Sequence, residues 1–257
     1  MANDEVWRCD LKSPCVKYCE SKNNKHQCGI YKRDNMIRVI HGDSKEILKT
    51  LSFTEKTIIV TDPPFNISYG YKTYKDKMPE QDYWKMLKDM FQNKKCVVIH
   101  YSEQLHRLSI ELQTAPTKTV SWVYNSNTAK QHREIAFYNI QPDFKQVGQA
   151  YKNPTDKRIA KRIKEGKTAK LYDWWNINQV KNVSKEKTEH PCQMPLEVMC
   201  NIIGILPKDA EIVEPFGGSG TTAEAIKIMN ERQNANRTGI IIEIDEVYVE
   251  IIKNRIK

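Results

Sequence analysis

The sequence predicts an α/β protein: a Rossmann-like, mostly parallel sheet with helices on both faces and one antiparallel strand. Three observations point there. Short β-branched runs such as "TIIV", "CVVI" and "TGIIIE" have the length and composition of buried strands. Segments with apolar residues three and four apart separate them, the alternation that builds a parallel sheet. A glycine-rich turn, "PFGGSG", joins one strand to a helix, where open α/β sheets commonly hold ligands.

The elements follow in order. "MIRVIHGDS" gives a strand over 37–40 ending at Gly42-Asp43, and "SKEILKTL" a short helix. "KTIIVTDPPF" is the next strand. Pro63 and Pro64 lack backbone donors and fix their own φ, so they end sheet pairing and force a rigid exit after Asp62. That exit fits either a plain Asp-Pro turn or a site. Residues 79–92 start with proline and carry Tyr83, Met86, Leu87 and Met90 at helical spacing. "CVVIHY" is a buried strand, a helix covers 102–113, and "KTVSWVYN" and "REIAFYNI" read as a β-pair. "NPTDKRIAKRIKEG" is a basic helix with Thr155 or Asp156 as cap and Gly166 as stop. In "LYDWWNINQV", Tyr172, Trp174 and Trp175 suit either a core or stacking on bases. From His190 the α/β pattern returns: a helix in "PLEVMCNIIGIL", then strand, glycine turn and helix in "EIVEPFGGSGTTAEAIKIMN". A last strand and helix follow, with Val247, Ile251 and Ile252 expected to face inward.

The formal charge of +9 and pI of about 9.0 favour a polyanionic partner. Clustering sharpens this, since nine Lys or Arg face two acids between Lys145 and Lys170. No apolar run approaches the roughly 20 residues of a membrane span, and "MANDEVWRCD" is charged where a signal peptide would be apolar. The expectation is no membrane and no secretion: a cytoplasmic protein, or one of the nucleus or of a virus. Four of the seven cysteines, Cys9, Cys15, Cys19 and Cys28, crowd an arm over residues 1–35. Four thiolates so close could close a structural zinc site, although the spacing lacks a CxxC knuckle; free thiols are the alternative.

In "VEPFGGSGTT" the glycines let backbone approach a ligand, and the helix N-terminus that follows favours an anion or carboxylate. The next strand ends in Glu243, where an acid can take both hydroxyls of a ribose. A nicotinamide dehydrogenase shares both features. A P-loop is excluded, because no Lys-Ser/Thr follows the last glycine.

Four motifs in order, "DPPFN" at 62–66, "HPCQMP" at 190–195, "EPFGGSGTT" at 214–222 and "IEIDEVY" at 242–248, resemble the DNA amino-methyltransferases, which use S-adenosylmethionine. The order, catalytic tetrapeptide first and glycine loop last, resembles the circularly permuted beta class, and the resemblance spans 36–257. It implies a catalytic half at 36–140, a basic target-recognition insertion at 141–189 and a cofactor-binding half at 190–257. It further implies that Asp62 and the Pro63 carbonyl, held by Pro64, accept hydrogen bonds from an exocyclic amine, while Phe65 stacks on a base rotated out of the duplex. Such an amine is a weak nucleophile because its lone pair is delocalised, so acceptors that localise the pair suit the chemistry. For the cofactor the resemblance implies Asp43, His190, Gln193, Glu214, Phe216, Gly218, Gly220, Thr221 and Glu243. It departs at Met194, where lysine is frequent, at Glu214, where aspartate is usual, and at Ile241, where glycine often stands.

Double-stranded DNA is the implied substrate, with Lys157, Arg158, Lys161 and Arg162 on phosphates and Arg133 with residues 122–127 at the lip of the base pocket. Asp-Pro-Pro-Phe favours adenine N6 over cytosine N4. Methylation of RNA or of a protein glutamine, and a degenerate DNA-binding subunit, are the rivals. The "PCQ" at 191–193 resembles the nucleophile motif of cytosine-C5 enzymes, but it precedes the glycine loop and would leave "DPPF" without a role. A homodimer or a partner nuclease is left open.

Overall fold

The computed structural model describes residues 36–70 and 76–257. Cys9, Cys15, Cys19 and Cys28, and with them the expected zinc site, lie outside the described residues. Among the described residues no group of three or more His, Cys, Asp or Glu side chains is placed to hold a metal ion. Nor is any described helix long and apolar enough to cross a membrane.

The chain runs β1 (Ile37–His41), α1 (Ser44–Thr50), β2 (Thr57–Thr61), α2 (Glu80–Phe91), β3 (Cys96–His100), α3 (Ser102–Leu112), β4 (Lys118–Val123) and β5 (His132–Tyr138). The basic segment adds β6 (Gly148–Gln149), α4 (Lys157–Lys164), β7 (Ala169–Lys170) and β8 (Trp174–Asn176). It closes with α5 (Leu196–Gly204), β9 (Glu211–Glu214), α6 (Thr221–Gln233), β10 (Thr238–Glu243) and α7 (Glu246–Arg255).

Eight strands form one sheet in the order β1-β10-β9-β2-β3-β5-β4-β8. All neighbours pair in parallel except at β5, which runs antiparallel to both β3 and β4. The single antiparallel strand expected from the sequence is therefore β5. Every residue of β2 and β3 is buried, which is why both read as unbroken apolar runs rather than alternating ones.

Alternate side chains serve opposite faces. Ile58 and Val60 pack with residues of α5 and α6, among them Met199, Ile202 and Ile226. Ile59, Cys96 and Val98 pack with α2 and α3 through Tyr83, Leu87 and Leu108. Tyr83, Met86, Leu87 and Met90 are all buried, as their helical spacing requires. In α7 the expected inward face is corrected. Val247 is 54% exposed, and the buried side chains are Tyr248, Val249 and Ile252.

The basic segment does not stand apart from this sheet. Its β8 pairs with β4, Trp175 is buried in the core, and Trp174 remains 48% exposed. Helix α4 is held by its ends rather than by a buried face. Asp156 caps it by accepting from the Arg158 and Ile159 amides at 2.9 and 3.2 Å, Gly166 follows at φ +71°, and no residue of the helix is buried. Its basic last turn, Lys161, Arg162 and Lys164, suits the negative end of the helix dipole.

Candidate active site

The parallel strands deliver their C-terminal ends to one edge, and with them Asp43 after β1, Asp62 after β2, Glu214 closing β9 and Glu243 closing β10. Because β5 runs the other way, its first residues, including Arg133, arrive at that same edge. There a cavity of about 330 Å³ is lined at once by Asp62 to Phe65, by Arg133, by Asp43 and by the glycine loop with Glu243. His190 and Cys192 close another wall. The two halves that sequence reading treated separately thus share one space.

On the first side, Asp62 pairs with Arg133, whose Nη1 donates to Oδ2 at 3.2 Å; both side chains are largely buried. Asp62 Oδ1 is buried with no hydrogen-bond partner among the described residues. Burial pushes this carboxyl up to about 6, against the opposing pull of the guanidinium. The Phe65 ring stacks on His100, with centroids 4.0 Å apart and planes 16° from parallel. His100 is itself fixed: its Nδ1 accepts from the Tyr101 amide at 2.8 Å, so Nε2 carries the proton toward the Tyr83 hydroxyl at 3.1 Å. Burial, aided by the Arg133 charge, lowers its pKa to about 3, so it stays neutral.

The loop leaving the tetrapeptide is built on Asp76, whose buried carboxylate accepts from the amides of Asn66, Ile67 and Tyr69 at 2.8, 3.2 and 3.0 Å. Asn66 completes the frame by donating to the Met78 carbonyl and accepting from the Met78 amide.

On the second side, Glu243 accepts from the Gly218 amide at 2.6 Å and from the Asp245 amide at 2.9 Å, tying the glycine loop to the end of β10. Gly218 has φ +52°, and a Cβ there would meet the His190 ring at 3.1 Å. Gly217 lies so close to Ile241 that a Cβ would come within 2.7 Å of it. Ile241, one of the three departures from the family pattern, is fully buried beneath that glycine.

Glu214 is a structural link as much as a lining group. It accepts from Thr61 Oγ1, the Phe216 amide and Thr222 Oγ1 at 2.6, 3.1 and 3.0 Å, and burial pushes its carboxyl up to about 8 despite these donors. Asp43 lines the cavity and caps α1 by accepting from the Lys45 amide. Phe216 and Thr221 are also in the wall.

Two expected cofactor residues stand elsewhere. Gly220 caps α6 at φ +77° against Ile252 and does not reach the lining. Gln193 is buried behind it, accepting from the Thr188 amide and donating to the Glu186 carbonyl, so it shapes the turn that presents His190. That turn precedes α5 rather than belonging to it. Met194, where the family often has lysine, lines the cavity with its sulfur 3.8 Å from Arg133 Nη1.

Trp122 and Tyr124, expected near the lip, are core residues instead. Lining residues that sequence reading missed include Ile67, Tyr69, Tyr101, Ile244 and Tyr248. Ile244 carried a signal: an apolar residue between two acids in "EID" has no reason to be 46% exposed unless something covers it. The basic residues Lys157, Arg158, Lys161 and Arg162 sit on the exposed surface of α4, outside the lining. Near them in sequence, Lys152 lies over the rings of Tyr172 and Trp174 at 4.8 and 5.2 Å.

Comparison with known proteins gives the chain's relatives. The type II methyltransferase M.BglII of Bacillus subtilis is 23% identical, over 86% of this chain and 69% of its own length. M.HpaI of Haemophilus parainfluenzae is also 23% identical, over 85% of this chain and 74% of its own. Among solved structures, M1.HpyAVI in complex with SAM superposes with a TM-score of 0.54 at 21% identity, covering 86% of this chain and all of that one, a likeness of fold. The family model of the N6/N4 DNA methylases matches residues 57–254, and with four ordered motifs meeting at one cavity the chain belongs to that DNA methylase family.

Proposed function

We propose that this protein methylates the N6 amine of adenine in double-stranded DNA, using S-adenosylmethionine. The observation that carries the reading is the single cavity lined by both Asp62–Phe65 and the Gly217–Gly218 loop with Glu243. The residues fit the cofactor. Glu243, already fixed by two amides, is oriented to take ribose hydroxyls; the Gly218 backbone, open at φ +52°, leaves room for the methionine part; Asp43 suits the adenine amine. When bound, S-adenosylmethionine supplies an electrophilic methyl on a sulfonium.

The chain's own residues then act on the base. Asp62 and the Pro63 carbonyl accept from the exocyclic amine and localise its lone pair, and the two prolines hold both acceptors free of strand pairing. Phe65, fixed on one side by His100, offers its ring to a base taken out of the stack. Transfer from sulfur to nitrogen would be direct, the sulfonium leaving as a neutral thioether and the proton displaced from the amine passing to solvent. Cys192 lines the cavity as part of the cofactor wall, with no covalent role.

The test is methyl transfer from labelled S-adenosylmethionine to unmethylated duplex DNA, single-stranded DNA and RNA, with product nucleosides resolved by mass spectrometry. N6-methyladenine in duplex DNA is expected; N4-methylcytosine, or product in RNA alone, would refute the substrate assignment.

The basic segment supports a DNA substrate. Helix α4 has no fully buried residue and is densely cationic, and Trp174 with Lys152 adds an exposed ring and charge. Replacing Lys157, Arg158, Lys161 and Arg162 by glutamine is expected to flatten the dependence of log affinity on log salt by about 0.9 for each phosphate that is no longer neutralised. The methylated sequence should stay the same, which sequencing of methylated products would check.

A further inference from the structure

We propose that Arg133 is a positioning residue for Asp62, occupying Oδ2 so that Oδ1 is the carboxylate oxygen left for the target amine. The inference rests on the reading of Asp62 given above and adds to it a residue that none of the four motifs contains. Its ground is geometric. The guanidinium reaches the two groups assigned to the base: it donates to Asp62 Oδ2 at 3.2 Å, and its carbon lies 4.8 Å from the Phe65 ring centroid. It is wedged further by Trp122 at 5.5 Å and Tyr101 at 5.8 Å, three rings that confine a planar cation to one orientation. Opposite it in the β4–β5 register stands Trp122, so the backbone ladder sets its height at the cavity edge. With Oδ2 taken and Oδ1 buried without a partner, the carboxylate has one unpartnered oxygen left to offer.

The charge matters as well as the direction. The carboxyl accepts from an amine most strongly when ionised, and burial at this site opposes ionisation, while Arg133 favours it. The other titratable groups around Asp62 do not share the task. His100 from β3 stays neutral above a pKa of about 3, and Glu214 from β9 titrates near 8. Tyr124, just after β4, is raised above the ordinary phenol value and is uncharged near neutrality. Arg133 is thus the cation that works against burial at Asp62, which ionises above about pH 6.

The test compares initial rates of methyl transfer to unmethylated duplex DNA from pH 5 to 8 in the parent protein, Arg133→Gln, Arg133→Lys and Asp62→Asn, with cofactor binding measured by calorimetry. The parent should lose activity on the acid side near pH 6. Arg133→Gln should bind cofactor normally but show that acid limb about one pH unit higher, consistent with the usual effect of removing a nearby opposite charge. Its deficit is then largest, about tenfold, below neutrality and shrinks as pH rises. Arg133→Lys keeps the charge and loses the planar fork; its limb should stay near 6 with a lower rate at every pH. An acid limb in Arg133→Gln at the parental position, with the same loss at all pH values, would reduce Arg133 to a packing role and overturn the proposal. A limb in Arg133→Lys shifted upward by a unit would overturn it also. Full activity in Asp62→Asn would instead remove the reading of Asp62 on which it rests.

Discussion

Asp62→Ala is expected to lower methyl transfer by about 10³-fold, the scale set by removing one preorganised polar group from a reacting centre. Cofactor binding should remain close to parental, because Asp62 makes no bond to the glycine loop or to Glu243; its one side-chain partner among the described residues is Arg133. The loss has two parts. The amine finds no carboxylate to localise its lone pair, and the largely buried guanidinium of Arg133 is left without its counter-charge. Asp62→Asn separates them, since it keeps an oxygen for Arg133 while removing the negative charge. Rates from single-turnover assays, paired with calorimetric titration of S-adenosylmethionine, would read both terms. Activity within tenfold of the parent in Asp62→Ala would sink the mechanism.

Glu243→Gln is expected to weaken cofactor binding by about 100-fold, almost as much as Glu243→Ala, although the substitution is nearly isosteric. Both oxygens of Glu243 accept from backbone amides, Gly218 on one and Asp245 on the other. An amide side chain must turn its NH2 toward one of these N–H groups, placing donor against donor. The loop then loses an anchor as the ribose loses a charged acceptor. Charge-assisted hydrogen bonds contribute about 1.5–3 kcal/mol each, and losing one or two gives that order of affinity change. Calorimetry at neutral pH would check it; binding within threefold of the parent would show that the ribose is held elsewhere. The turnover of either variant at saturating cofactor should recover partly, which distinguishes this wall of the cavity from the Asp62 wall.

Much of the architecture was written in the sequence because the central strands are buried on both faces. "TIIVT" and "CVVIH" read as strands without any need for alternation, and the prolines at 63 and 64 marked where pairing stops. The glycines of "FGGSG" announced a close approach of backbone, although their division of labour was not legible. Gly217 and Gly218 line the cavity, whereas Gly220 makes the helix cap possible. In "IDEVYVEII", two helical faces are equally apolar, and only the position of α7 over Ile241 and Ala223 selects the one carrying Ile252. Strand β8 has three residues in a polar, aromatic stretch, and its pairing depends wholly on β4. The Arg133–Asp62 contact joins residues 71 positions apart across a strand whose direction is reversed. No local pattern encodes such a pair; it appears only when the register is known.

The strand order has a consequence for how the protein comes into being. β1 and β2 are made first, yet in the finished sheet β10 and β9 lie between them, with Ile37 paired to Gly239 and Thr57 to Glu211. Until the last segment leaves the ribosome, both early strands carry unsatisfied edges, β-branched in each and in β2 made wholly of residues that the finished fold buries, which is the condition that favours association between chains. Closure also requires two very long loops to be pulled together before either pairing gains anything, so the sheet belongs among the slow-folding topologies. A chain arrested before Glu211 would hold the whole catalytic tetrapeptide and still be unable to complete its core.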